Sequence, residues 1–349
     1  MKSFARGLQV AVFACVVLLA RQGVAEAGQE LQIGPDAMQT SIAAQRTFAR
    51  ILPSAVEYMQ KDTSYDCATG GWDVWAAPFA RYDRRDSESN FYNGYKFKQY
   101  GVGAGVTRTF SNAYFGLGFG YDHRKTEDRE AVNPGVNSYE IKGDAFHAAL
   151  YGGATFDCYF VEAYAGFSRT WNDAELNAPG NRRFTGEFTD NVYSGGLKFG
   201  RVWYLPSDFR LTTSAAIDYS HIRTGKYNIH EGNVVYGQAD KGSYDSVETP
   251  IMFALDRTFT SGSCVTWTPE VRAGWIPRFG SSRTTLDGRY MPNNPQHIKS
   301  SKMPRSQGVI GAGLTVRATD RVRLGLDYDF YFAGNNSSHI LSANLGIGF

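Results

Sequence analysis

From Trp72 to the C-terminus, apolar residues recur at every second position, in runs separated by turn residues. A period of two places apolar side chains on one face of a strand and the intervening ones on the other. Residues 321–332 show it plainly. Val322, Leu324, Leu326, Tyr328, Phe330 and Phe332 share one face, and Arg321, Arg323, Gly325, Asp327, Asp329 and Tyr331 share the other. The last residues repeat it, with Leu341, Ala343, Leu345, Ile347 and Phe349 against Ser342, Asn344, Gly346 and Gly348. Phe115 to Tyr121, Leu211 to Tyr219, Val265 to Trp275 and Ile310 to Val316 follow the same rule.

Alternation fits a soluble sandwich as well as a membrane barrel, and three features select the barrel. The less apolar face carries charge or glycine (Glu270 and Arg272, Gly116 and Gly118), which a water-filled interior tolerates. Aromatics such as Tyr121, Tyr159, Trp203, Tyr219, Trp267, Trp275 and Phe332 fall near strand ends, where interfacial girdles belong. Gap lengths also alternate. Strands are expected near 72–82, 95–108, 113–124, 140–155, 158–171, 188–204, 209–223, 247–259, 263–276, 307–317, 321–333 and 338–349. Gaps after even strands are short, at 111–112, 156–157, 206–207, 261–262 and 319–320. Most after odd strands are long, notably 224–246 and 277–306. Long outside and short inside is the rule for outer-membrane barrels. The expected fold class is all-β, a 12-stranded antiparallel transmembrane β-barrel.

The mean hydropathy of −0.35 does not oppose this, because such a barrel keeps only alternate residues in lipid. No stretch after Gly28 is apolar enough for a transmembrane helix. Residues 1–27 read as a secretory signal, with Lys2 and Arg6 before an apolar run from Leu8 to Ala20 and a small-residue site at Ala25-Glu26-Ala27. The segment holds a surplus of two positive charges, which equals the formal net charge of +2 of the whole chain. The expected mature chain is then close to neutral, and no basic excess points to nucleic acid. The expected division is a signal at 1–27, a pre-barrel helical segment at 28–70 and the barrel at 71–349.

Residues 36–62 read as helix, starting at Asp36 and interrupted by Pro53. The apolar stripe (Met38, Ile42, Phe48, Ile51) is thin, and such a helix is poorly stable alone. It needs a partner surface that is polar as well as apolar.

At this point the chain resembles the translocator β-domain of autotransporters, the type V secretion proteins. The resemblance covers about residues 36–349. Its carriers are the pre-barrel helix, Gly70-Gly71-Trp72 leading into strand one, the glycine alternation at Gly101-Val102-Gly103-Ala104-Gly105, the run Tyr114 to Tyr121, and the terminal aromatic Phe349. It implies an outer-membrane location in a Gram-negative bacterium and a helix threaded through the barrel. It also implies contact with outer-membrane lipid and lipopolysaccharide, and a role for Phe349 as the signal read by barrel-assembly machinery. Two departures bear on function. Few residues separate Gly28 from the helix, so the expectation is a relative without a passenger, or the barrel half of a split system with a separately encoded passenger. The helix also lacks the Asn-Asn pair at which some relatives cut themselves; Asn293-Asn294 and Asn335-Asn336 fall in expected external loops. The competing functional reading is a porin-like small-molecule channel or surface receptor barrel, constricted by the loop at 277–306.

The sequence shows no constellation of catalytic side chains. None of His123, His147, His221, His230, His297 and His339 has Ser two residues on. Ser220 and His221 are neighbours on a strand and point to opposite faces. Ser337 and His339 have the right spacing in reverse order beside a short loop. Asp327 and Asp329 share a face, but Arg321 and Arg323 share it too and read as a charged interior wall. Gly101, Gly103 and Gly105 precede no helix and do not form a phosphate loop. Lys299, Lys302 and Arg305 read as a solvated loop patch. No enzyme activity, cofactor or metal is expected.

The pattern implies two placements inside the pore. Gly101, Gly103, Gly105, Gly116, Gly118 and Gly120, with Gly311 and Gly313, form an inward arc on which the helix would lean, since glycine admits another backbone closely. Glu162, Arg210, Asp218, Asp256, Glu270 and Arg272 would leave a wet gap on strands five to nine. Of Cys15, Cys67, Cys158 and Cys264, the first leaves with the signal. Cys158 and Cys264 start strands five and nine, a chord of roughly 20 Å apart for strands ~4.8 Å apart and tilted ~40°. That exceeds the ~7 Å a disulfide allows. Either Cys67 bridges Cys158 or Cys264 and pins the helix, or all three are free thiols.

Overall fold

The computed structural model describes residues 33–56, 71–86, 94–128, 138–178, 182–261, 265–290, 294–300, 302–319, 321–334 and 336–349. Among the described residues, the helix α1 (Ile33–Arg50) precedes the strands. β1 (Trp72–Arg85), β2 (Tyr95–Thr109), β3 (Ala113–Asp128), β4 (Ser138–Phe156), β5 (Tyr159–Ala178), β6 (Arg182–Tyr204) and β7 (Phe209–Thr224) follow in order. β8 comprises three segments, Gly242–Glu248, Ile251–Arg257 and Phe259–Ser261. Pro250 lacks the N–H that a ladder needs, yet partners on both sides continue in unbroken register across it. β9 (Val265–Phe279), β10 (Ser306–Arg317), β11 (Val322–Ala333) and β12 (Asn336–Gly348) complete the wall.

Each strand pairs antiparallel with the next, and β1 pairs with β12 from Asp73↔Gly348 to Arg85↔Asn336. The sheet therefore closes into a 12-stranded barrel, the expected fold class. Closure removes the strand edges that lipid could not satisfy. The alternation sorts inside from out as the period required. Leu324, Leu326, Tyr328 and Phe332 are exposed on the outer face, while Asp329 between them is buried within.

The wall is uneven in height. A tilted strand spans the bilayer with about ten residues. β5 has 20 residues and β6 has 23, against 12 in β10, so one side stands well above the other. The expected long loops are not irregular. Residues 224–246 contain a hairpin, Tyr227–Glu231 with Val234–Ala239, whose first strand pairs with β6 at Phe184 and Thr185. Residues 277–306 contain another, Thr285–Tyr290 with Asn294–Lys299. The two hairpins join through Gly288↔Ala239 to Tyr290↔Gly237. Together they extend the tall side across the mouth.

The helix starts three residues before Asp36, at Ile33, and ends at Arg50; past Pro53, residues 55 and 56 are helical again. Pro35 is tolerated because first-turn N–H groups have no intrahelical partner. The chain leaves the helix where Ile51 N–H bonds back to the Phe48 carbonyl, 3.2 Å, just before Pro53. Residues 57–62 lie outside the described residues.

Candidate functional site

The helix lies inside the barrel, and both its apolar and its polar faces are buried. Ile33, Ala37, Met38, Ile42 and Phe48 are covered, and so are Asp36, Gln39, Thr40, Ser41, Gln45 and Thr47. Burying polar groups is costly unless each finds a partner. The wall supplies them in tiers down the helix.

At the top, the Tyr139 hydroxyl donates to Asp36 at 2.9 Å, and the Thr284 hydroxyl donates to the Pro35 carbonyl at 2.8 Å. Gln39 meets both Arg85 and Ser300. One turn lower, Ser41 donates to Asp190 at 2.9 Å, and Asp190 also accepts from Asn172 and Thr224. Arg124 donates to the Ser41 oxygen at 3.2 Å. Next, Gln45 donates to Ser194 at 3.1 Å, and its carbonyl lies 2.6 Å from His147 Nδ1. His147 Nε2 meets Asp122, which also accepts from Gln99 at 2.8 Å and Arg124 at 3.1 Å. Phe48 stacks on the His147 ring with centroids 4.8 Å apart.

The opposite face of the helix carries charge. Arg46 donates to Glu248 at 2.7 Å and to Ser246 at 3.0 Å, and Arg278 reaches the same Glu248 oxygen from the wall. Arg50 meets Asp329 and lies 5.4 Å over the Tyr331 ring. Arg81 of β1 donates to the Ala43 carbonyl at 3.0 Å and to Thr47 at 3.2 Å. Below the helix, Ser54 donates to Glu162 at 2.6 Å, and Glu162 pairs with Lys198 at 2.7 Å.

This arrangement corrects the expected position of the helix. Its backbone approaches β4 to β7 most closely, not the glycine arc. A cavity of about 530 Å³ runs beside and below it, lined by charged residues of β1 and β8 to β11 such as Arg81, Glu248, Arg272 and Asp327, and by Glu162 and Lys198 of β5 and β6. The physical reason is matching polarity. β4 to β7 carry Tyr139, His147, Asp190 and Ser194, which pair with helix side chains, while the glycine strands β2 and β3 reach the helix through Gln99 and Arg124. The glycines divide by what fills the space beside them. A side chain at Gly103 would strike Ile51, at Gly118 Leu52, and at Gly120 Phe48. Gly101 is covered by Phe79, Gly105 by Trp75 and Gly116 by Tyr151. Gly311 and Gly313 face Asp329, Asp327 and Arg272 rather than the helix. Two of the glycine strands thus make room for side chains at the helix end, not for its backbone.

The charged wall pairs across strands. Asp327 and Asp329 bind Arg272 of β9, at 2.8 and 2.7 Å. Arg272 also binds Glu270 at 2.9 Å, and Arg210 pairs with Asp256.

The mouth holds an apolar cluster of its own. Tyr227, Ile229, Leu286 and Ile298 of the two hairpins pack with Ile33 and Ala37 of the helix and with Tyr139 and Phe184 of the wall. Burial raises the Tyr227 phenol above its ordinary pKa. Arg182 grips both Glu231 oxygens, at 2.8 and 2.9 Å, and holds that carboxyl below its usual range. The alternation of Tyr227 with Ile229, or Leu286 alone, is too short a signal to mark these strands in sequence.

Phe349 is exposed, and its N–H donates to the Trp72 carbonyl at 2.8 Å, across the seam between the two chain ends of the barrel. Cys158 has a free thiol. Cys67 and Cys264 lie outside the described residues.

Comparison with known proteins agrees with this geometry. A family model described as the autotransporter β-domain matches residues 74–329. Outer membrane protein A of Rickettsia conorii is 23% identical over 280 residues, covering 76% of this chain and 14% of the relative. The protein of the same name from Rickettsia rickettsii is 22% identical over 255 residues, covering 70% of this chain and 11% of the relative. The chain therefore spans a small fraction of these curated relatives. Among solved structures, the translocator domain of the autotransporter NalP from Neisseria meningitidis superposes with a TM-score of 0.67 at 12% identity, covering 90% of this chain and 97% of that one. The β-domain of the Bordetella autotransporter BrkA gives 0.57 at 17% identity, covering 80% and 98%. The transport unit of AIDA-I from Escherichia coli gives 0.52 at 13% identity, covering 84% and 96%.

Proposed function

The chain belongs to the autotransporter β-domain family, and we propose that its helix acts as a resident plug, held by side-chain pairing rather than by apolar packing alone. It is a translocator barrel of the outer membrane of a Gram-negative bacterium. The observation that carries the plug is the tiered set of partners from Asp36 to Arg50, which matches nearly every buried polar side chain of the helix to the wall. In this reading the pore is the path of a polypeptide passenger, its role is transport rather than catalysis, and the helix closes the path afterwards. The hairpins at 227–239 and 285–299 face the cell exterior, and the short turns and both barrel termini face the periplasm. Residues 1–27 are a signal removed on export, residues 28–70 the plug segment and residues 71–349 the barrel. Barrel-assembly machinery reads Phe349, and outer-leaflet lipopolysaccharide surrounds the tall rim.

Conductance in planar bilayers tests the plug. The full-length chain is expected to conduct weakly, and a chain lacking residues 28–62 to open a pore of far higher conductance. Equal conductance from both would remove the plug and favour the porin-like reading.

A further inference from the structure

The arginines that face the pore are paired. Arg46, Arg210, Arg272 and Arg278 each bind a carboxylate. Three arginines at the lower ends of even strands, on the outer face, are not. Arg108, Arg201 and Arg257 have no carboxylate or hydrogen-bond partner among the described residues, and the Nε atoms of Arg201 and Arg257 are buried without one.

The three share one local pattern. Each stands two residues before an aromatic at the lower end of an even strand: Arg108 and Phe110, Arg201 and Trp203, Arg257 and Phe259. Each also sits directly opposite the aromatic that opens the preceding strand, as Trp72↔Arg108, Tyr159↔Arg201 and Phe209↔Arg257. The guanidinium planes lie over these rings. Arg108 is 5.2 Å from the Trp72 ring centroid, Arg201 is 3.8 Å from Trp203 and 4.9 Å from Tyr159, and Arg257 is 5.3 Å from Phe209 and 4.9 Å from Phe259. Strand alternation sets all three on the lipid face, continuing rows that contain Val106, Phe199 and Leu255.

Rings on the flanks hold a guanidinium in place while leaving its terminal N–H fork free. An unpaired, half-buried cation beside an apolar band calls for an anion delivered at the headgroup level. A phosphodiester matches the fork in geometry and charge. We propose that the Arg108, Arg201 and Arg257 clusters are three headgroup sites for anionic glycerophospholipid of the inner leaflet. The assignment of leaflet rests on the orientation proposed above, which puts these strand ends at the periplasmic side.

Native mass spectrometry of the full-length folded barrel, released from detergent containing phosphatidylglycerol, tests it. The wild-type chain is expected to retain phosphatidylglycerol, and R108Q, R201Q and R257Q to weaken retention about fivefold at each site. The triple variant should retain none, while R201K keeps part of the binding because charge survives without the planar fork. Folding is checked by heat-modifiable migration, and if the triple variant does not fold, the single variants decide. Retention unchanged in the folded variants overturns the proposal. Retention of lipopolysaccharide with exclusion of phosphatidylglycerol overturns it too, by placing this rim in the outer leaflet. Protease cleavage of 224–246 on intact cells is independent of lipid binding, so failure of the lipid sites and failure of the orientation are told apart.

Discussion

His147 Nδ1 stands 2.6 Å from the side-chain oxygen of Gln45, although 102 residues separate them. One residue of the helix and one of β4 are thereby joined in a chain that runs from Ser194 through Gln45 and His147 to Asp122. All four are buried. Such a chain is costly to break at Gln45, because Ser194 and His147 Nδ1 then each lose a buried contact. Gln45→Leu preserves approximate volume and removes both contacts at once. It is expected to destabilise the folded barrel by about 1–3 kcal/mol. Denaturant unfolding in detergent, read by heat-modifiable migration, measures it. A midpoint equal to that of the wild type would show that the chain contributes nothing.

The two helix arginines offer a cleaner way to loosen the plug. Glu248 is shared between Arg46 and Arg278, and Asp329 between Arg50 and Arg272. Removing the helix partner therefore leaves each carboxylate paired with a wall arginine, which avoids the several kcal/mol of an abandoned buried charge. The double variant Arg46→Ala with Arg50→Ala should keep the barrel folded and raise its conductance towards that of a chain lacking residues 28–62. Low, unaltered conductance would mean that the polar tiers on the other face hold the helix unaided.

Glycine positions separate contact with the helix from general crowding. A Cβ at Gly120 would lie 2.6 Å from the Phe48 ring, whereas one at Gly116 would lie 2.4 Å from Tyr151 of the wall. Gly120→Leu is expected to push the lower helix off its seat and increase conductance. Gly116→Leu, equally crowded, should cost stability through the wall while leaving conductance low, provided that the fold survives. The same increase from both variants would show that crowding anywhere opens the pore.

The barrel could be read from the sequence because one physical rule, apolar out and polar in, repeats in every strand. β11 and β12 announce it from Val322 to Phe332 and from Leu341 to Phe349. The seat of the helix could not be read in the same way. Ser41 and Asp190 meet across 149 residues, and so do Gln45 and Ser194. Nothing in their local pattern distinguishes them from other polar residues of the inner face. Glycine was the visible signal, and it marked where bulk is absent rather than where partners are present. The mouth hairpins were hidden for another reason. Their strands have five or six residues, so each shows two or three alternations within what otherwise reads as loop.

Orientation is open to a direct check. Protease added to intact cells should cut within 224–246 or 277–306 and spare the turns at 206–207 and 261–262. Pairing of the hairpins with β6 and with each other should confine early cuts to the ends and tips of the hairpins, such as the turn at Gly232 with φ of 58°. Cuts confined to the short turns would invert the barrel.

The seam between the ends of the barrel gives the last prediction. Phe349 makes two separable contributions. Its N–H closes the final hydrogen bond to the Trp72 carbonyl at 2.8 Å, beside Gly348 N–H donating to the Arg321 carbonyl. Its ring ends the lipid-facing row of Leu341, Leu345 and Ile347 and is 74% exposed, so it packs on little of the protein itself. Phe349→Ala keeps the backbone bond and loses the ring. Deleting Phe349 loses both. If the ring matters because assembly machinery reads it, both variants should yield less folded barrel in cells, while purified Phe349→Ala refolds in detergent micelles almost as well as the wild type. If the ring matters for stability of the seam instead, Phe349→Ala should refold poorly in micelles too. Unchanged yield of both variants in cells would deny Phe349 any part in assembly. One net hydrogen bond is worth about 1 kcal/mol, too little to unfold a closed barrel, so a large fall in yield with normal refolding in micelles identifies recognition as the cause.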